Sequence, residues 1–134
     1  MKSKIRKISI YNQIFIWNYT EKYYLGDFYI SRIFFSPQDE KSISVECFFK
    51  TRSSYHMGCH LNHGFTAVKG EKEHTINFNS PKFISEFIGF MVANKIDFAR
   101  QKRYRFDYAH VLLEEMGFHS FNACFAPYEL FMSE

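Results

Sequence analysis

Three of the six histidines and one of the three cysteines stand within eight positions: His56, Cys59, His60 and His63. On a helix these four share one face at i, i+3, i+4 and i+7, and imidazole with thiolate is a donor set suited to zinc. An extended chain gives a different picture. Tyr55, Met57, Cys59 and Leu61 then alternate with His56, Gly58, His60 and Asn62, and His56 and His60 fall about 13 Å apart, too far to share a metal. Gly58, Asn62 and Gly64 disfavour a helix, and the spacing matches no established zinc signature. The expectation is therefore that the segment holds no metal and that the protein uses no cofactor, with a metal site at His56, Cys59, His60 and His63 as the alternative.

Cysteine beside histidine also raises nucleophilic catalysis, which needs a thiolate, a base, an orienting group and oxyanion donors in one cleft. Cys59 and His60 are sequence neighbours and in a strand point to opposite faces. Cys47 lies in an alternating apolar face, and Cys124 lies among Phe121, Phe125 and Ala126, so both read as small core residues. No catalytic residue is assigned. The carboxylate pairs Asp39-Glu40 and Glu114-Glu115 are adjacent and do not converge on one bond. Neither G-x-G-x-x-G nor G-x-x-x-x-G-K-[ST] occurs, so no glycine-rich phosphate loop is present.

The remaining chemical feature is a cationic run. Arg100, Lys102, Arg103 and Arg105 surround Tyr104, and the run is expected to form a loop between two helices. Such a loop could hold phosphates with Tyr104 stacked on a base, face an acidic protein surface, or serve as a solvated connection. These five residues are the candidate partner-binding set.

The elements that must carry these residues follow from periodicity. Ile43, Val45, Cys47 and Phe49 alternate with Ser44, Glu46, Phe48 and Lys50, as in a strand with one face on a core. Residues 13–19 and 28–35 are β-branched and aromatic but apolar on both alternating faces, which places them centrally in a sheet or under a covering element. Residues 5–10 read as an edge strand, because their cations discourage pairing with another chain. Gly64 and Gly70 bracket FTAVK, and residues 74–78 alternate again, which adds a hairpin. Short polar connections join these strands into an antiparallel meander of about five or six.

The period then changes. Ser80 is placed as an N-cap with Pro81 at the first helical position. Phe83, Phe87, Phe90 and Met91, with Ile84 and Ile88, form an apolar stripe that should lie across the sheet. A second helix is expected from Asp107 as cap, through Ala109, Leu112, Leu113 and Met116, to a stop at Gly117. After Ser120, Pro127 argues against a further long helix. Strands first and helices later make an α+β domain.

Composition agrees with one such domain over residues 1–134. The 17 Phe, 9 Tyr and 1 Trp exclude disorder, and 6 Gly with 3 Pro exclude collagen-like or linker-rich chains. A formal charge of +3, from 17 cations and 14 anions, selects no partner by itself. An odd cysteine count suits reduced thiols, and neither a signal peptide nor a membrane span is evident. A soluble cytoplasmic protein is expected.

The layout as a whole resembles the small bacterial immunity proteins of contact-dependent inhibition and other polymorphic toxin systems. The likeness lies in a strand-rich half containing the Phe15-Ile16-Trp17-Asn18-Tyr19 strand, the entry into a helix at Ser80-Pro81, and the helical end at Met116-Gly117-Phe118. It implies a non-enzymatic role in which the protein binds one toxin domain and blocks its active site. It carries over no functional residue. Three readings result: a protein-binding protein, a small metal- or cysteine-dependent enzyme built on residues 56–63, and a nucleic-acid-binding module built on residues 100–105.

Overall fold

The computed structural model describes residues 5–24, 28–52 and 65–119. It shows an α+β architecture. Ten elements follow in chain order: β1 (Arg6–Ile10), β2 (Gln13–Tyr24), β3 (Phe28–Pro37), β4 (Ser44–Arg52), β5 (Phe65–Lys69), β6 (Lys72–Ile76), α1 (Pro81–Asn94), β7 (Arg103–Phe106), α2 (His110–Glu115) and β8 (Phe118–His119).

The main sheet has the order β1-β2-β3-β4-β7. Its first four strands form the expected meander, antiparallel throughout, with Ile10 opposite Gln13, Trp17 opposite Phe35 and Ile33 opposite Cys47. β1 is at the edge and β2 and β3 are central, as their cationic and doubly apolar patterns imply. Tyr11 and Asn12 turn β1 into β2 with φ of 51° and 63°, the positive values that a two-residue hairpin turn matching strand twist requires.

Two features depart from the sequence expectation. The hairpin β5–β6 does not extend the main sheet; it pairs with β8 in a separate sheet of order β6-β5-β8. The fifth strand of the main sheet is instead β7, which lies parallel to β4 with Val45 opposite Tyr104 and Cys47 opposite Phe106. The cationic run is thus in part a strand. A parallel partner needs a long crossover, and here α1 lies within it.

Strand alternation divides the main sheet into two faces. One carries Phe15, Trp17, Ile33, Phe35, Val45, Cys47 and Phe49, all buried. Against it α1 buries Phe83, Ile84, Phe87, Ile88 and Met91, and α2 contributes Leu112 and Leu113. Phe78 joins sheet to helix, with its ring 4.6 Å from Phe49 and stacked at 5.2 Å on Phe83. The small-sheet residues Ala67, Ile76 and Phe118 close the same core.

Helix α1 starts where expected, with Ser80 extended and Pro81 at the first position, although the Ser80 side chain makes no cap bond. Helix α2 is shorter than expected. Asp107 does not cap it: the helix begins at His110 with Ala109 at the N-cap position, and the Asp107 carboxylate instead accepts a hydrogen bond from Arg105 Nε at 2.8 Å. Gly117 follows the helix with φ of 102°, a value open to glycine and strained for side chains. No described helix is long and apolar enough to cross a membrane.

Candidate functional site

The face of the main sheet opposite α1 is built from the alternate residues of the same strands. Cross-strand register aligns Asn18, Phe34, Glu46 and Arg105 in one row and Thr20, Arg32 and Phe48 in the next. Phe34 and Phe48 are half-buried there, and Ile14 is 46% exposed. The described helices bury their apolar side chains in the core on the far side. On this face the turn after β3 covers Ser36, whose Oγ donates to the Ile43 carbonyl at 2.6 Å, while Arg32, Phe34, Glu46 and Phe48 stay partly exposed.

The charged groups on it are ordered by the aromatic rings. The Arg32 guanidinium lies 5.0 Å from the centre of the Phe34 ring, and its Nε donates to Glu46 Oε2 at 2.7 Å. The Arg105 guanidinium lies 4.6 Å from the centre of Phe48 and is tied to Asp107. Each arginine is therefore held by an aromatic face on one side and a carboxylate on the other, which limits the rotamer freedom a partner would have to freeze. The hydrogen bond from Arg105 to Asp107 raises the arginine's pKa above its ordinary value, so the cation persists at any physiological pH.

The predicted cationic run is divided by this geometry. Arg103 and Arg105 project on the open face, since they pair with Ser44 and Glu46. Tyr104 and Phe106 point to the core side and stack at 6.2 Å. The Tyr104 hydroxyl donates to the Asp97 carbonyl at 3.0 Å and lies 2.9 Å from the Asp97 amide, which donates to it. Tyr104 therefore closes the loop that follows α1, and it is not poised to stack on a base. Arg100 and Lys102 are exposed in that loop, where the Lys102 carbonyl accepts from the Ser44 amide at 2.9 Å.

The residues that sequence reasoning missed are Arg32, Phe34, Glu46 and Phe48. Their signal was present in the alternation of β3 and β4, which sends Arg32 and Phe34 to the side opposite Ile33 and Phe35.

The residues on which the enzymatic alternatives rest, His56, Cys59, His60 and His63, lie with Cys124 outside the described residues. Within them no group of three or more His, Cys, Asp or Glu side chains is arranged to hold a metal. Cys47 is fully buried, and that burial pushes its thiol pKa far up, so it is a neutral core group and not a nucleophile. The Tyr19 hydroxyl, 2.9 Å from both Ser31 Oγ and Glu21 Oε2, is likewise raised, mainly by burial. It fastens β2 to β3 at the rim of the core.

No family model matches the chain, and no curated protein or solved structure matches it.

Proposed function

We propose that the protein is a non-enzymatic protein-binding domain that docks an acidic partner surface on the open face of its main sheet. The observation that carries this reading is the patch of Phe34, Arg32, Glu46, Arg105 and Phe48, tied together by cation–aromatic and ion-pair contacts on the sheet face opposite α1. Arginine and aromatic side chains are the residues that dominate binding energy at protein interfaces. Among the side chains described on this face, Lys7, Arg32, Arg103 and Arg105 outnumber Glu46 and Asp107 by two, which favours an acidic complement. Such a surface suits an immunity protein that occludes the active site of a cognate toxin domain in the bacterial cytoplasm, and that is the specific form of the proposal.

The test is affinity capture of the tagged full chain from its native cells, followed by reconstitution with the purified partner. Unrelated duplex and single-stranded DNA and RNA are offered in parallel. The expected result is a stoichiometric complex with one protein whose association slows as salt rises. Tight binding to nucleic acid of any sequence, with affinity rather than on-rate carrying the salt dependence, would replace this reading with the nucleic-acid one.

A further inference from the structure

A second surface lies at the β1 edge of the main sheet. The β1–β2 turn, α1 and the β5–β6 hairpin enclose an open cleft of about 690 Å³, within the range that small-molecule sites occupy. Its walls combine an apolar floor, supplied by Ile10, Phe90 and Met116, with charged and hydroxyl groups from three elements.

The basic wall is preorganised. Lys69 and His74 reach the cleft from adjacent strands, and the Phe118 ring holds both: the Lys69 ammonium lies 5.2 Å from its centre, and the His74 ring meets it edge-on at 5.8 Å. Glu86 and Ser85 line the cleft from α1. Among the described residues none of Lys69, His74 and Glu86 forms an ion pair or a side-chain hydrogen bond. Three polar groups that are exposed and uncommitted to other described polar side chains thus border one concavity.

Tyr11 completes it. Tyr11, which takes its φ of 51° from the β1–β2 turn, is 72% exposed beside the cleft. The ring reaches over α1 at Gly89, where its hydroxyl lies 3.8 Å from the position a Cβ would occupy. A flat aromatic side chain next to carboxylate and hydroxyl groups is suited to the face and the hydroxyls of a sugar ring. The Lys69–His74 wall supplies donors for an anion.

We infer that this cleft binds a small sugar phosphate, with the phosphate on Lys69 and His74 and the sugar hydroxyls on Glu86 and Ser85 beside Tyr11. The site is separate from the open sheet face and does not depend on protein binding.

Amide chemical shifts of the full chain, followed during titration with ribose 5-phosphate, glucose 6-phosphate, inorganic phosphate and uncharged glucose, test it. Saturable shifts confined to residues 69–74, 85–90 and the Tyr11 turn are expected with at least one sugar phosphate. Affinity for it should exceed that for inorganic phosphate or glucose. Lys69→Ala should weaken binding by about tenfold or more, the loss of one charge-assisted bond, and Glu86→Gln should narrow the gap between sugar phosphate and inorganic phosphate. Both positions are exposed, and retention of the remaining spectrum reports that each variant is folded. No saturable shift with either sugar phosphate up to about 10 mM, weaker than any physiological millimolar site, would overturn the inference. Equal affinity for sugar phosphate and inorganic phosphate, or binding unchanged in Lys69→Ala, would also do so.

Discussion

The two faces of the main sheet are made from the same strands and use aromatic residues in opposite ways. On the core face Phe15 and Phe35 meet edge to face at 6.1 Å, and Phe49 packs on Phe78, with every ring removed from water. On the open face Phe34 and Phe48 have cations for neighbours and remain half-exposed. Burial makes the first set responsible for stability. The second set returns little on folding, because its rings stay wet and its ion pairs are solvated. Residues that hold a defined arrangement without stabilising the fold are the ones available to a partner.

The largest separation between the faces should come from truncating neighbouring residues of β3. Phe35→Ala removes a fully buried ring and should cost about 3–5 kcal/mol in urea unfolding. A loss under about 1 kcal/mol would mean that the core face is not closed as described. On α2, Leu112→Ala should cost about 2–5 kcal/mol, since that side chain is 3% exposed. A change under about 0.5 kcal/mol would place the helix off the core.

A smaller effect separates the faces by pH. The Cys47 thiol has its pKa raised in the folded protein, so the unfolded chain releases that proton first as pH climbs past about 8.5. The unfolded state then binds fewer protons than the folded one. Stability is therefore fully present below that pH and falls above it. Tyr19, raised in the same direction, adds to the fall above about pH 10. Unfolding midpoints between pH 8 and 10 should decline less steeply in Cys47→Ala than in the parent, and equal slopes would show that Cys47 is accessible to solvent.

Smallest is the stability effect expected on the open face. Phe48→Ala should cost about 1 kcal/mol or less, the scale of a half-exposed ring with one cation over it. Arg105→Glu should leave the unfolding midpoint unchanged. A large loss from either would recast this face as part of the core.

Much of this architecture was legible in the residues. The alternation through Val45, Cys47 and Phe49 marks β4 because a period of two survives any partner choice. Ser80-Pro81 marks the start of α1 because proline's fixed φ acts locally. Strand β7 was not legible in the same way. Its four residues, Arg103-Tyr104-Arg105-Phe106, alternate cation with aromatic, but so short a run is dominated by its charge, and its parallel partner β4 lies more than fifty residues earlier. The separate pairing of β5 with β8 is similarly non-local. The open face escaped notice because β3 is apolar on both sides, and only the register with β4 reveals that Arg32, Phe34, Glu46 and Phe48 meet.

The most direct test of the division between the faces is the association rate of the captured partner with the double variant Phe48→Ala/Arg105→Glu, measured beside the parent at several salt concentrations. The account predicts a folded variant whose association is slowed and whose salt dependence is flattened or reversed, because a cation that steers the encounter has become an anion. A folded variant that associates at the parental rate, with the parental salt dependence, would contradict it and move the binding surface elsewhere on the molecule.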